Sequence, residues 1–272
     1  MEKLRILFAT MEIDPFLRIS QAADFIRQLP QGLQDKGHEI RILMPRFGVI
    51  NERRNRLHEV VRLSGINIRV GTEEKPLTIK VASIPNARLQ VYFLDNEDYF
   101  QRKSVLNDPK NQSFYGDNHE RAIFFSKGVI ETVRKLGWMP NIVHCHGWMT
   151  SLIPLYLKTH YKDDPMFSQS KVVFTVYDYE AGQPMPANFN EKAKLDGIPA
   201  NLMKEYSADT YAGVTRGGMK LADAVTKGQP KLDKTLEDLI KKGKTSVAFD
   251  HNGHDMAHYV QSYSDLYQSI LN

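Results

Sequence analysis

The chain opens with a charged turn followed by a short apolar run, residues 4–9, which has the length of a buried strand. From residue 20 the period changes. Phe25, Ile26, Leu29 and Leu33 recur at helical spacing over 20–36, and Gly37 is placed to end that helix. Pro30 falls inside the span and predicts a kink, because proline removes a helix hydrogen bond. A second apolar run occupies 39–44. Strand, helix and strand in succession make a βαβ unit with a right-handed crossover.

Residues 57–94 have a different rhythm. Runs at 58–63, 66–70, 77–82 and 89–94 read as strands, separated by turn signals at Ser64-Gly65, 71–76 and Pro85-Asn86. This is the pattern of antiparallel hairpins inserted into a parallel fold. A polar loop spans 96–118. Helical spacing returns over 119–136, with Ile123, Phe124, Val129, Ile130 and Val133 turned inward. Then come a strand at 142–145, a helix at 150–161, a strand at 172–176 and a loop-rich stretch at 177–198. Helices at 212–222 and 231–241 flank a short strand at 224–226. A last helix, 254–271, carries Met256, Val260, Tyr263, Leu266, Tyr267 and Ile270 on one face. The alternation predicts an α/β protein with a Rossmann-like, doubly wound, mainly parallel sheet, an inserted β-hairpin region and a C-terminal helix.

Composition narrows the class. The chain has 272 residues, 42% hydrophobic and 25% charged. It contains no apolar run near the roughly 20 residues a membrane span needs, and its first residues, "MEKLRILFAT", lack a signal peptide's long apolar core. The single cysteine, Cys145, excludes an internal disulfide and fits a reducing, cytoplasmic setting. The net charge of +4 is spread out. Its densest clusters, Arg53, Arg54 and Arg56, and Lys241, Lys242 and Lys244, accompany no nucleic-acid-binding motif and read as solvated charge. Neither a nucleic-acid nor a membrane partner is expected.

Three stretches have residue types that do chemistry. In "PFLRISQAAD", 15–24, the first strand passes into the first helix, a junction that usually presents glycine amides and a helix N-terminus to an anion. Here Arg18, Ser20 and Gln21 stand instead. Ser20 suits a helix cap, and Arg18 can grip a phosphate or a carboxylate with both arms. The alternative is a plain turn with a surface arginine. In "VHCHGWMTSLIPLYLK", 143–158, His144 and His146 alternate on a strand and share one face. They read as polar ligand contacts or as satisfied core histidines. No third ligand at metal spacing accompanies them, so no metal is expected. In "FTVYDYEAGQP", 174–184, Tyr177 and Asp178 follow another strand and are expected to face the same crevice, with Asp178 serving a hydroxyl, acting as a base or capping a loop. There is no glycine-rich phosphate loop, nucleophile elbow or zinc spacing.

The ordered motifs carry a resemblance. "LPQGLQDKGHEIRILMPRFGVI", "VYFLDNEDYFQR", "YGDNHERAIFFSKGVIE", "LGWMPNIVHCHGWMTSLIPLYLK", "KVVFTVYDYEAGQ" and "LADAVTKG" resemble, in order, the N-terminal domain of bacterial glycogen synthases and plant starch synthases. The resemblance covers the first strand to about residue 227. That family consists of GT-B glucosyltransferases, which extend α-1,4-glucans from a nucleotide-diphosphate glucose. Its first motif, E-x-x-P-F-x-K-T-G-G-L-A-D, is matched at Glu12, Pro15, Phe16, Ala23 and Asp24. The family lysine that meets the nucleotide sugar is Arg18 here, and the two glycines are Ser20 and Gln21. Its H-x-H-D-W-H/Q motif is matched at His144, His146 and Trp148. The aspartate there is Gly147, and the sugar-contacting polar residue is Met149. Its T-I-H-N is Thr175, Val176, Tyr177 and Asp178.

The resemblance implies a division into 1–227, a Rossmann-type domain; 228–253, a junction centred on "KKGKTSVAFDHNGHD"; and 254–272, a helix that packs back on the first piece. "MAHYVQSYSDLYQSILN" resembles the family's final crossover helix, while no second Rossmann domain and no E-x(7)-E motif follow residue 227. Two functions remain open. One is a catalytically silent family member that acts as a glucan-binding, sugar-binding or regulatory module, with a protein partner or a second copy on the face that a second domain would cover. The other is an active glucosyltransferase that completes its cleft with another chain, Arg18 holding the diphosphate and His146 or Asp178 the sugar. No residue is assigned a catalytic role, and no cofactor is implied beyond a nucleotide-diphosphate glucose as donor substrate.

Overall fold

The computed structural model describes residues 2–179, 182–207, 210–242 and 255–272. Among the described residues nine strands form the sheet: β1 (Arg5–Ala9), β2 (Glu39–Pro45), β3 (His58–Glu59), β4 (Ile66–Val70), β5 (Glu73–Ser83), β6 (Gln90–Asp95), β7 (Ile142–His146), β8 (Lys171–Val176) and β9 (Ala224–Lys227). The helices are α1 (Ala22–Asp35), α2 (Glu52–Asn55), α3 (Glu97–Phe100), α4 (Asn118–Leu136), α5 (Leu152–Lys158), α6 (Phe189–Ala193), α7 (Ala200–Glu205), α8 (Tyr211–Leu221), α9 (Lys234–Lys242) and α10 (Met256–Leu271).

The strand order is β3-β5-β6-β2-β1-β7-β8-β9, with β4 paired to β5. Strands β6, β2, β1, β7, β8 and β9 run parallel, while β3, β4 and β6 pair with β5 antiparallel. The doubly wound sheet with its inserted hairpins is therefore present. The chain travels one way from β1 to β2 and the other way from β6 to β7. Right-handed crossovers in opposite directions put α1 and α4 on opposite faces. The winding reverses between β1 and β7, and a crevice at the carboxyl ends of these strands is where such sheets hold ligands.

Helix α1 spans Pro30, which is buried. Several elements differ from expectation. The strand expected over 58–63 stops at Glu59, because the chain must turn back into β4: Ser64 Oγ donates to Val60 O, and Gly65 takes a φ of +80°, where a side chain would strain the backbone. The polar stretch 96–118 begins with α3, whose free amides at Asp98 and Tyr99 donate to Asn96 Oδ1. The stretch expected to be loop-rich, 177–198, holds the short helix α6, and α7 follows it in a span to which no element was assigned; each is only one to two turns long, too short to show a periodic face. The junction expected over 228–253 includes α9 in its first part, and its remainder from 243, with the expected start of the last helix at 254, lies outside the described residues.

Helix α10 is built into the core. Its Asp255 side chain accepts from His258 N, capping the first turn. It lies along α1 so closely that a Cβ on Gly32 would sit 2.4 Å from Val260 Cγ2. Phe25 meets Tyr259 edge-on at 5.6 Å, and Lys36 Nζ donates to Gln261 Oε1 at 2.7 Å. Tyr263 and Tyr267, one helical turn apart, reach the sheet and are fully buried.

Candidate functional site at the strand ends

At the end of β1 the chain passes through Glu12, fully buried, which organises the loop before α1. Ile19 N and Ser20 N donate to Glu12 Oε2 at 2.6 and 2.8 Å, and Ser20 Oγ donates to Oε1 at 2.7 Å. Ser20 Oγ in turn accepts from Ala22 N at the start of α1. Two amides and a hydroxyl on one carboxylate fix the turn without glycines.

Arg18 does what its geometry permits, and its target is the chain itself. Nη1 and Nη2 donate to Asp24 Oδ2 and Oδ1 at 2.9 and 2.8 Å, and Nη2 also reaches Asp14 Oδ1 at 3.2 Å. The guanidinium is solvent-exposed, and the hydrogen bonds to Asp24 and Asp14 raise its pKa further. Of the two partners open to the fork, a phosphate or a carboxylate, it holds carboxylates of its own chain.

His144 and His146 share a face as the alternation predicted, with ring centroids 4.1 Å apart and both rings buried. His144 is hydrogen-bonded on both nitrogens, Nδ1 to the Tyr267 hydroxyl at 2.7 Å and Nε2 to Thr175 Oγ1 at 2.6 Å. Thr175 Oγ1 continues to Thr226 Oγ1 at 2.7 Å, and the Tyr263 hydroxyl donates to Thr226 Oγ1 at 3.1 Å. A closed polar chain thus crosses β7, β8 and β9 and begins and ends on α10. His144 is a core histidine that ties this helix to the sheet. Burial holds its pKa well below the usual histidine range, with neighbouring His146 adding to the effect. Burial alone pushes His146 down to about 3.

Tyr177 enters the crevice and is hydrogen-bonded to His146 Nδ1 at 3.0 Å. Asp178 does not. It is exposed, and its amide donates to Gln229 Oε1. Consecutive residues of an extended chain point opposite ways, so a crevice-facing Tyr177 sends Asp178 outward. Trp148 and Met149 are also not brought in. They are buried in the turn after β7, Trp148 against Tyr211 at 4.5 Å and Phe114 at 6.2 Å.

The residue that completes the crevice, Tyr179, was missed by the sequence reading. Its ring stacks on Tyr177 with centroids 5.0 Å apart and planes inclined 22°, and its hydroxyl donates to Glu12 Oε1 and lies 3.2 Å from Ser20 Oγ. Two glycines make room for the pair. A Cβ on Gly147, where φ is +76°, would meet the Tyr179 ring at 3.1 Å, and one on Gly228 would sit 2.1 Å from Tyr177. Beside Ser20 the surface opens into a cleft of about 660 Å³, lined by Ser20, Gln21, Phe25, Gly228, Gln229 and Lys231 among others. Among the described residues no cluster of His, Cys, Asp or Glu is placed to hold a metal, and no helix is long and apolar enough to cross a membrane.

A doubly wound parallel sheet with an antiparallel extension and a crevice at its winding reversal is the architecture of one Rossmann-type half of a GT-B fold. The catalytic domain of starch synthase IV from Arabidopsis thaliana has this fold: the two superpose with a TM-score of 0.72 at 18% identity, over 92% of this chain and 52% of that one. The family model for the starch synthase catalytic domain matches residues 5–240, and the chain belongs to that family. It is 39% identical to the glycogen synthase of Chlorobium limicola over 222 residues, 82% of this chain and 45% of the relative. It is 43% identical to that of Pelodictyon phaeoclathratiforme over 222 residues, again 82% and 45%. With the glycogen synthase of Chlorobaculum tepidum it shares 37% identity over 268 residues, 98% of this chain and 52% of the relative. The chain spans about half the length of the curated relatives it matches.

Proposed function

We propose that this glycogen/starch synthase-type half-domain binds an α-glucan or a related sugar without transferring glucose, and so acts as a binding or regulatory module. The observation that carries the reading is the filled crevice: Tyr177 and Tyr179 occupy the space over Gly147 and Gly228. Glucosyl transfer from a nucleotide-diphosphate glucose needs a preorganised, positively charged clamp on the leaving diphosphate. The Arg18 fork is engaged by Asp24 and Asp14, and Glu12 adds a buried carboxylate nearby, so the local charge does not favour a diphosphate. Saccharide binding makes no such demand. The cleft of about 660 Å³ is of ligand size. It offers Ser20, Gln21, Gln229 and Lys231 for hydroxyl groups and Phe25 as an apolar wall. The relatives are glycogen synthases, and the Arabidopsis neighbour is bound to ADP and acarbose, so both ligand classes are reasonable probes.

The test pairs retention of the purified protein on immobilised glycogen with an assay for diphosphate released from nucleotide-diphosphate glucose in the presence of an oligoglucan. Retention without diphosphate release is expected. Release of diphosphate in step with glucan elongation would overturn the silent reading in favour of a transferase, and no retention would overturn the binding one.

A further inference from the structure

Tyr179 is held the way a sugar ring is held. A pyranose is commonly bound with one flat face against an aromatic ring and a hydroxyl donated to a carboxylate. Tyr179 makes both contacts: its face lies on Tyr177, and its hydroxyl donates to the buried Glu12. Both the phenol and the pyranose are six-membered rings carrying a hydroxyl.

We propose that Tyr179 is an intramolecular stand-in for a hexopyranose, and that its displacement opens a subsite for one neutral sugar ring, with Tyr177 as stacking platform and Glu12 as hydroxyl acceptor. This rests on the saccharide-binding reading above and names where one ring of that saccharide sits.

The two tyrosines are anchored differently. Tyr177 is 2% exposed, hydrogen-bonded to His146 and wedged against Gly228, so it is part of the core. Tyr179 lies beyond the end of β8, is only half-buried, and is held by the stack and by its hydroxyl contacts to Glu12 and Ser20. Glu12 keeps its two amide donors and the Ser20 hydroxyl if Tyr179 leaves, so the acceptor stays in place. Gly147 forms the floor, presenting backbone where a Cβ would intrude on the ring position. The subsite is not isolated: Ser20 touches Tyr179 and also lines the open cleft, so a linear glucan can place one ring in the subsite and further rings in the cleft. Arg18 and Arg27 are paired with Asp14 and Asp24 and so are not held ready for a phosphate, while the acceptor Glu12 suits the hydroxyl of a neutral sugar.

The experiment is calorimetric titration of the full chain with maltotriose, comparing the wild type with Tyr179→Ala, Tyr179→Phe and the double variant Tyr177→Ala/Tyr179→Ala. Tyr179→Ala is expected to tighten maltotriose binding at least tenfold by removing the competing ring. Tyr179→Phe, which keeps the packing and loses the hydroxyl bond, is expected to tighten it about threefold, and the double variant to lose the gain. If Tyr179→Ala does not fold, Tyr179→Phe decides: affinity equal to wild type overturns the proposal. Affinity unchanged in a folded Tyr179→Ala also overturns it, as does a gain that survives loss of Tyr177. If the wild type is retained on glycogen while these variants leave maltotriose affinity unchanged, only this site assignment fails. If neither the wild type nor Tyr179→Ala takes maltotriose or glycogen, the binding function falls with it.

Discussion

The β1–α1 loop and the ends of β7 and β8 meet at one crevice, yet they are built in opposite ways. The loop carries side chains, at Ser20 and Gln21, where a glycine turn was the expectation, and its backbone is held by hydrogen bonds to Glu12. The strand ends carry none at Gly147, and the space over it is filled by Tyr179 from the loop after the next strand. The loop is governed by hydrogen bonding and charge at the surface, the strand ends by packing volume in the core. A crevice can be filled while its walls stand. Substitutions that empty or overfill the packed core at His144 and Gly228 should therefore register mainly as stability, those of the Tyr177–Tyr179 pair as binding, and that of Arg18 in the loop weakly or not at all.

The largest effect is expected at His144. Replacing it with alanine removes a fully buried ring and leaves Tyr267 without its hydrogen bond and Thr175 with one fewer. A cavity plus orphaned hydroxyls costs about 4 kcal/mol, whereas Tyr267→Phe, which removes one hydroxyl and keeps the shape, costs about 1 kcal/mol. Urea unfolding of both variants measures the difference. Equal, small losses would mean that α10 is not tied to the sheet through this chain of hydroxyls.

Gly228→Ala probes the same region through volume. The new Cβ sits 2.1 Å from Tyr177 Cε1, so Tyr177 must shift and carry the Tyr179 stack with it. Overpacking of this kind costs about 2 to 3 kcal/mol. A loss under about 0.5 kcal/mol in urea unfolding would show that the tyrosine pair yields easily and that the strand ends are not packed as core.

Acid should weaken the strand ends before it reaches most of the surface. His144 and His146 are held neutral by burial, with His146 pushed down to about 3. The unfolded chain protonates each near pH 6.5, while the native one refuses the proton, so stability present above pH 6.5 is lost as pH falls below it. For His146 the loss continues down to about pH 3. Each histidine contributes up to about 1.4 kcal/mol per pH unit. His38 and His119 are lowered as well, also chiefly by burial, and steepen the same limb. The slope between pH 6 and 4.5 should flatten by about one histidine's share in His146→Gln. An unchanged slope would mean that His146 takes up its proton in the folded state.

The framework was legible because its signals are periodic. The βαβ unit, the hairpin region, α4 and α10 each show a repeating face, and a buried face must repeat with the geometry of its element. Short elements such as α6 and α7 carry too few turns to repeat. The site was legible only in part. Alternation placed His144 and His146 together, but the reach of Tyr263 and Tyr267 into the sheet depends on where α10 docks. Tyr179 was invisible for the same reason: its position follows from Glu12, 167 residues away, and from the absence of a side chain at Gly147. Asp178, expected to face the crevice beside Tyr177 or to cap a loop, is exposed, because neighbours on an extended chain point opposite ways.

The smallest effect is expected where the sequence pointed most directly. Arg18→Ala removes a fork that is half in solvent and paired with two carboxylates, Asp24 and Asp14. Exposed pairs of this kind are screened by salt and opposed by the side-chain entropy of ordering them. The unfolding midpoint should not change measurably, in low salt or high, and maltotriose affinity should match wild type, since Glu12 and Tyr177 are untouched. The informative arm is a nucleotide-diphosphate glucose. If Arg18 leaves its aspartates to hold a diphosphate, that ligand will raise the melting temperature of the wild type and not of Arg18→Ala. Such a difference would place donor binding back in the loop and break the contrast with the strand ends. With no shift in either protein, the loop keeps the backbone of a donor site while its arginine serves only Asp14 and Asp24.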